Sequence, residues 1–172
     1  PMPADRPLTL RSARTQDVPV IQALVEPLAR ERVLLQKEAV AYYEAIQEFV
    51  VAEEADGTLA GFGALHVMWQ DIAEVRTLAV SEAHRGAGVG HLLIEELLDR
   101  ARAVGVERVF CLTFEVEFFR RNGFEVMADQ SAVDPEVYAE LLRSTDEGVA
   151  EFLDLARVKP NTLGNTRMIR RL

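Results

Sequence analysis

The chain has 172 residues, 49% of them hydrophobic, which is enough for one domain over residues 1–172 that buries most of the surface of its unfolded form. Its 28 acidic and 19 basic residues give a formal charge of -9, which opposes binding to nucleic acid or an anionic membrane, and the only basic cluster is Arg167, Arg170 and Arg171. One cysteine, Cys111, excludes a disulfide framework and a cysteine-cluster metal site. With no leader pattern and no apolar run near the ~20 residues that span a bilayer, a soluble cytoplasmic protein is expected.

Residues 8–13 alternate enough to predict a first strand. Thr15 precedes a helix whose apolar face would be Val18, Ile21, Leu24, Val25 and Leu28, with Pro19 tolerable in the first turn. A second helix is predicted from about residue 37 to 47, using Val40, Tyr43 and Ile46. The period then changes to two. Residues 49–53, the Asp56-Gly57 turn and residues 59–68 read as an antiparallel hairpin, which leads across Gln70-Asp71 into a third strand over 74–80.

That strand runs into Arg85-Gly86-Ala87-Gly88-Val89-Gly90, and from there Val89, Leu92, Leu93, Leu97, Ala101 and Val104 recur at helical spacing. Residues 108–114 predict the next strand, with Cys111 as a buried structural thiol. The tail offers a helix near 136–142, a polar segment, a loop over 159–165 and a final strand.

A strand, a glycine-rich turn and an amphipathic helix in this order make a phosphate cradle. Glycines at 86, 88 and 90 permit a tight turn and close approach, and the first N–H groups and the positive dipole end of the helix favour an anion. Arg85 adds a cation beside them. The dinucleotide fingerprint needs its glycines as G-x-G-x-x-G, whereas here they fall as G-x-G-x-G, and the Gly-Lys-Ser/Thr of a Walker loop is missing.

The pattern Arg-x-x-Gly-x-Gly after a strand, on Arg85, Gly88 and Gly90, resembles the acyl-CoA pyrophosphate loop of the GNAT acetyltransferase superfamily. Residues 118–124, Phe-Phe-Arg-Arg-Asn-Gly-Phe, look like that superfamily's short helix closed by Gly-Phe. The resemblance implies an α+β fold: a central mixed, mostly antiparallel sheet with splayed middle strands, flanked by helices. It also implies acetyl-CoA as co-substrate, held by residues 85–90 (Arg85, Gly86, Ala87, Gly88, Val89 and Gly90). Strand amides of Leu78, Ala79 and Val80 would pair with the pantetheine.

Further segments resemble the short single-domain bacterial N-acetylglutamate synthases over nearly the whole chain. They are residues 33–37, 63–67, 74–80, 110–115 and, most distinctively, 158–168 (Val-Lys-Pro-Asn-Thr-Leu-Gly-Asn-Thr-Arg-Met). This implies acetyl transfer to the α-amine of L-glutamate or L-glutamine as the first step of arginine synthesis. Lys37, Thr166 and Arg167 would bind substrate carboxylate, and Glu74 would be the general base, acting through a water. Alternatives are an acetyltransferase for another small amine and a catalytically idle acetyl-CoA or amino-acid sensor.

From the residues themselves, Arg76 joins the cationic set, since a dicarboxylate amine needs cations at opposite ends of its pocket. Two apart on a strand, Glu74 and Arg76 share the side of Leu78, where they form either an ion pair or the border of the thioester. The backbone N–H of Leu78 is the candidate oxyanion donor. Phe119 stands where many superfamily members carry the tyrosine that protonates the leaving thiolate, so the general acid stays open, with water or Thr113 as options. His66, His84 and His91 lack zinc-ligand spacing, so no metal is expected, although His66 could approach the amine. Trp69 and Phe62 read as core or as the surface of a homodimer.

Overall fold

The computed structural model describes residues 7–31, 37–127, 134–153 and 164–172. Most of the loop expected at 159–165 therefore lies outside the described residues, as do residues 33–36. In chain order the elements are β1 (Leu8–Ser12), α1 (Val18–Arg30), α2 (Ala39–Glu44), β2 (Phe49–Glu54), β3 (Leu59–Trp69), β4 (Ile72–Val80) and α3 (Val89–Val104). They continue with β5 (Arg108–Thr113), α4 (Val116–Arg121), β6 (Glu125–Val126), α5 (Pro135–Leu141), α6 (Glu147–Phe152) and β7 (Thr166–Arg171). The strands form a seven-stranded sheet in the order β1-β2-β3-β4-β5-β7-β6, antiparallel except for the parallel β4–β5 pair, so the expected mixed, mostly antiparallel fold is found.

Two compact units make up the chain, one of residues up to 65 with 75–100, the other of residues 66–74 with 101–172. In the first, β1 pairs with β2 from Leu8↔Glu54 to Ser12↔Val50, and the hairpin closes where Thr58 donates its N–H to Asp56 Oδ1 at 2.9 Å. The buried face of α1, Val18, Ile21 and Val25, packs with Tyr42, Phe49, Val51, Phe62 and Ala79. Removal of that apolar surface from water is what holds helix to strand.

The start of α1 is set by charge. Thr15 lies in a 3-10 turn, Thr15–Asp17, and the helix proper begins at Val18. Asp17 is buried, accepts the Arg14 N–H at 2.7 Å and pairs with Arg11 at 2.8 Å. Those hydrogen bonds from Arg11 hold the Asp17 carboxyl below its ordinary range.

The second helix corrects the expectation. Only residues 39–44 are α-helical, followed by a 3-10 turn at Ile46–Glu48, and Tyr42 is the residue turned inward. Val40 and Tyr43, the predicted face, are 60% and 45% exposed, because a six-residue helix is too short for its period to fix a face. In α3 the buried set is Val89, Leu93, Ile94, Leu97, Leu98 and Ala101, while Leu92 and Val104 of the predicted stripe are exposed.

In the second unit, β5 pairs with β7 along its whole length, from Arg108↔Arg171 to Thr113↔Thr166, and the short β6 pairs with β7. Met68, Ile72, Phe110, Leu141, Val149, Phe152 and Leu153 form its core, with Phe110 and Phe152 edge to face at 5.4 Å. Phe152 lies in α6, within the stretch expected to be a polar segment. Asp146 caps that helix by accepting the Val149 N–H at 3.0 Å, a start signal present in the sequence.

Candidate active site

The sequence of β4, Ile-Ala-Glu-Val-Arg-Thr-Leu-Ala-Val, suits a pleated and largely buried strand, yet its parallel ladder with β5 covers only Ile72–Glu74 against Arg108–Phe110. Val75–Val80 have no partner on β5. On the β3 side the pairing continues to the strand end, where Ser81 donates its N–H to the Ala60 carbonyl at 2.8 Å. Strand backbone left without a strand neighbour is a template for an extended amide-bearing ligand. Leu78, Ala79 and Val80 lie there, Ala79 buried and the other two half-buried.

Thr77 interrupts this strand with φ +54°, the only non-glycine residue with positive φ among the described residues. A β-branched residue in that region costs about 1–3 kcal/mol and persists only where its surroundings hold it. One such hold is a hydrogen bond that the Lys37 ammonium donates to Thr77 Oγ1 at 3.2 Å. The Lys37 Nζ also lies 6.0 Å from the ring centroid of the buried Tyr42. The interruption has a second effect: the shared side expected for Glu74, Arg76 and Leu78 assumed unbroken extension, which Thr77 does not provide. Nothing in the letters marked Thr77, since threonine is an ordinary strand residue.

Beyond β4 a 3-10 turn, Glu82–His84, leads to an extended Arg85 and then to Gly86 and Gly88 at φ +80° and +79°. A side chain at either glycine would meet nothing within 4 Å, so the backbone conformation, not crowding, demands glycine there. Gly90 differs from the expectation: it is buried in the first turn of α3 and has no positive φ. Residues 85–88 are exposed, and Leu92 N–H to Gly88 C=O at 3.2 Å marks where the helical bonds begin. An exposed loop at the positive end of a 16-residue helix, whose first N–H groups have no partner within the helix, fits the phosphates of a CoA ester.

The other candidate residues separate by unit. Lys37, Arg76 and the loop belong to the first unit; Glu74, Thr166 and Arg167 belong to the second. Glu74 is buried at 5% exposure, and its charge adds to burial in pushing the Cys111 thiol well up. Thr166 and Arg167 are half-buried at the start of β7, opposite Thr113 and Leu112, and Arg167 Nη1 donates to the Glu151 carbonyl at 3.4 Å.

Phe119 is buried, with Phe118 and Phe124 edge to face on it at 5.2 Å each, and so belongs to an aromatic core. The Thr113 hydroxyl accepts the Glu115 N–H at 2.7 Å. His66 Nε2 lies 3.8 Å from Asp146, and His91 pairs with Glu95 one turn along α3 at 3.0 Å. No group of three His, Cys, Asp or Glu placed to hold a metal ion occurs among the described residues. None of their helices is long and apolar enough to cross a membrane.

The model of the acetyltransferase (GNAT) family matches residues 20–124. A Mycobacterium tuberculosis protein named amino-acid acetyltransferase is 52% identical over 169 residues, covering 97% of this chain and 96% of its own length. A crystal structure from M. tuberculosis in complex with CoA and NLQ superposes with a TM-score of 0.89 at 52% identity, covering 95% of this chain and 99% of that one. N-acetylglutamate synthase from Neisseria gonorrhoeae, complexed with coenzyme A and N-acetyl-glutamate, gives 0.77 at 27% identity; the match covers 98% of this chain but 36% of that one. These relatives agree with the glycine loop and with a β4 whose pairing to β5 stops at Glu74: acetyl-CoA is the co-substrate, and the chain belongs to the GNAT family of acetyl-CoA-dependent N-acetyltransferases.

Proposed function

We propose that this acetyltransferase acylates the α-amine of a free amino acid, L-glutamate or L-glutamine, and so makes the first intermediate of arginine synthesis. The carrying observation is the Lys37 ammonium bonded to Thr77 on the strand that also bears Leu78, which supports reading Lys37 as a cation beside the strand proposed to align the cofactor. A carboxylate of the acceptor is its natural partner. The near full-length relationship to the mycobacterial amino-acid acetyltransferase and the N-acetyl-glutamate in the gonococcal synthase support the same acceptor class.

Acetyl-CoA supplies an activated acetyl thioester when bound. In this reading residues 85–90 hold its phosphates, and the backbone of Leu78, Ala79 and Val80 aligns its pantetheine arm. Glu74 takes a proton from the ammonium of the acceptor through a water, giving the neutral amine that attacks. The Leu78 N–H donates to the carbonyl oxygen as negative charge develops there. Lys37, Arg76, Thr166 and Arg167 bind the acceptor carboxylates. With Phe119 in the core, the thiolate leaves unassisted or takes its proton from water, since a thiol pKa near ~8.5 makes it a tolerable leaving group.

Acetyl-CoA-dependent thiol release by the purified protein, run against a panel of free amino acids and small amines with product mass as readout, tests the proposal. Selective turnover of L-glutamate or L-glutamine is expected. Turnover of other amines alone would overturn the acceptor assignment, and CoA binding without turnover of any acceptor would leave a sensor.

A further inference from the structure

We propose that His84 is the positioning residue of the phosphate loop, an assignment that rests on reading residues 85–90 as the CoA site. The loop has little to hold it in shape. Residues 85–88 are exposed, two are glycines with open space around them, and its internal backbone bonds are long: Arg85 N–H to Glu82 C=O at 3.3 Å and Ala87 N–H to His84 C=O at 3.4 Å. Glycine-rich backbone loses more entropy on ordering than any other, so an unanchored loop would present its N–H groups poorly.

His84 is the last residue of the 3-10 turn before the loop, and both nitrogens of its ring are engaged. Nδ1 lies 2.5 Å from the Ser81 hydroxyl, at the end of β4, and Nε2 lies 2.7 Å from Glu54 Oε1, at the end of β2. The imidazole and the carboxylate are 12% and 9% exposed. The neutral tautomer with its proton on Nε2 satisfies the chain fully: Nε2–H donates to Glu54, and the Ser81 O–H donates to Nδ1. Glu54 is itself fixed, donating its N–H to the Thr58 carbonyl at 2.8 Å and accepting the Gly57 N–H at 2.9 Å. The imidazole thus ties the entrance of an exposed, glycine-rich loop to a rigid hairpin end, and sets where the N–H groups after it fall.

A residue with this role governs the use of phosphate-bearing donors alone. For His84→Ala the KM for acetyl-CoA is expected to rise about tenfold, a loss typical of well-placed buried hydrogen bonds. S-acetyl-pantetheine, a donor with no phosphates, should be used as well as by wild type, and the acceptor KM should not move. Ser81→Ala, which removes one tether and no charge, should raise the acetyl-CoA KM about threefold. Glu54→Gln, which can still accept from Nε2–H, should stay within twofold. Equal losses with both donors would show a merely structural residue and overturn the proposal, as would an unchanged acetyl-CoA KM in both His84→Ala and Ser81→Ala. Gly88→Val separates this from the underlying reading: if it raises the acetyl-CoA KM while the His84 and Ser81 variants do not, the loop binds CoA without this anchor. If it too has no effect, the loop assignment itself falls.

Discussion

The donor and acceptor sides of this enzyme are built by different means. On the donor side, one continuous stretch from Leu78 to Gly90 supplies strand backbone, two left-handed glycines and a helix start, so the groups proposed to recognise the donor are main-chain amides. On the acceptor side, the proposed groups are side chains at 37, 74, 76, 166 and 167, which come from separate stretches of the chain. Main-chain recognition is insensitive to most substitutions and so can serve a whole family, whereas scattered side chains can be exchanged one at a time to change the amine.

The sharpest way to break that contrast is Glu74→Gln, where kcat/KM should fall at least ~100-fold, since general-base catalysis contributes 10²–10⁴. Retention of more than a tenth of wild-type activity across pH would remove Glu74 from the chemistry. Lys37→Met comes next: loss of a charge-assisted contact should raise the acceptor KM about 10- to 100-fold and leave the acetyl-CoA KM within about threefold. A rise in the latter would show that Lys37 acts through the β4 backbone by way of Thr77.

Arg85→Ala should cost little, about threefold in acetyl-CoA KM, because in the proposed donor site the exposed guanidinium only assists N–H groups that remain. A loss of 100-fold would make the donor side a side-chain site after all. Asp17→Asn should change neither KM, yet at neutral pH it should destabilise the fold by about 2 kcal/mol by removing the hydrogen-bonded charge facing Arg11. Because the folded Asp17 pKa is lowered, its contribution is full above the unfolded value of ~3.9 and is lost as pH falls through the folded one. Urea denaturation at pH 7 and at pH 3 should therefore show the gap between variant and wild type closing at low pH.

The same contrast decides what was legible beforehand. The hairpin, β4, the loop and α3 carry local signals, alternation, a turn pair and glycines before a helical stripe, and each is found where those signals lie. The inward side of α2 was not legible, because six residues let Tyr42 or Tyr43 point inward equally well and only packing against Phe49 decides. A stretch that looked polar hides α6, whose Val149 and Phe152 pack in the second core beneath a charged outer face. Nor could the sequence show Thr77 in a left-handed conformation or Lys37 bonded to it across 40 positions of chain, since both depend on tertiary contacts.

Cys111 has a practical consequence. It is the sole thiol of the chain, it is 1% exposed, and burial beside Glu74 keeps it protonated. Colorimetric thiol reagents attack thiolates that they can reach, so the native enzyme should be silent to them and every chromophore formed during turnover should report released CoA. The same reagent, added without substrate, becomes a clock for global opening of the second unit's core, reacting once per chain as β5 comes apart.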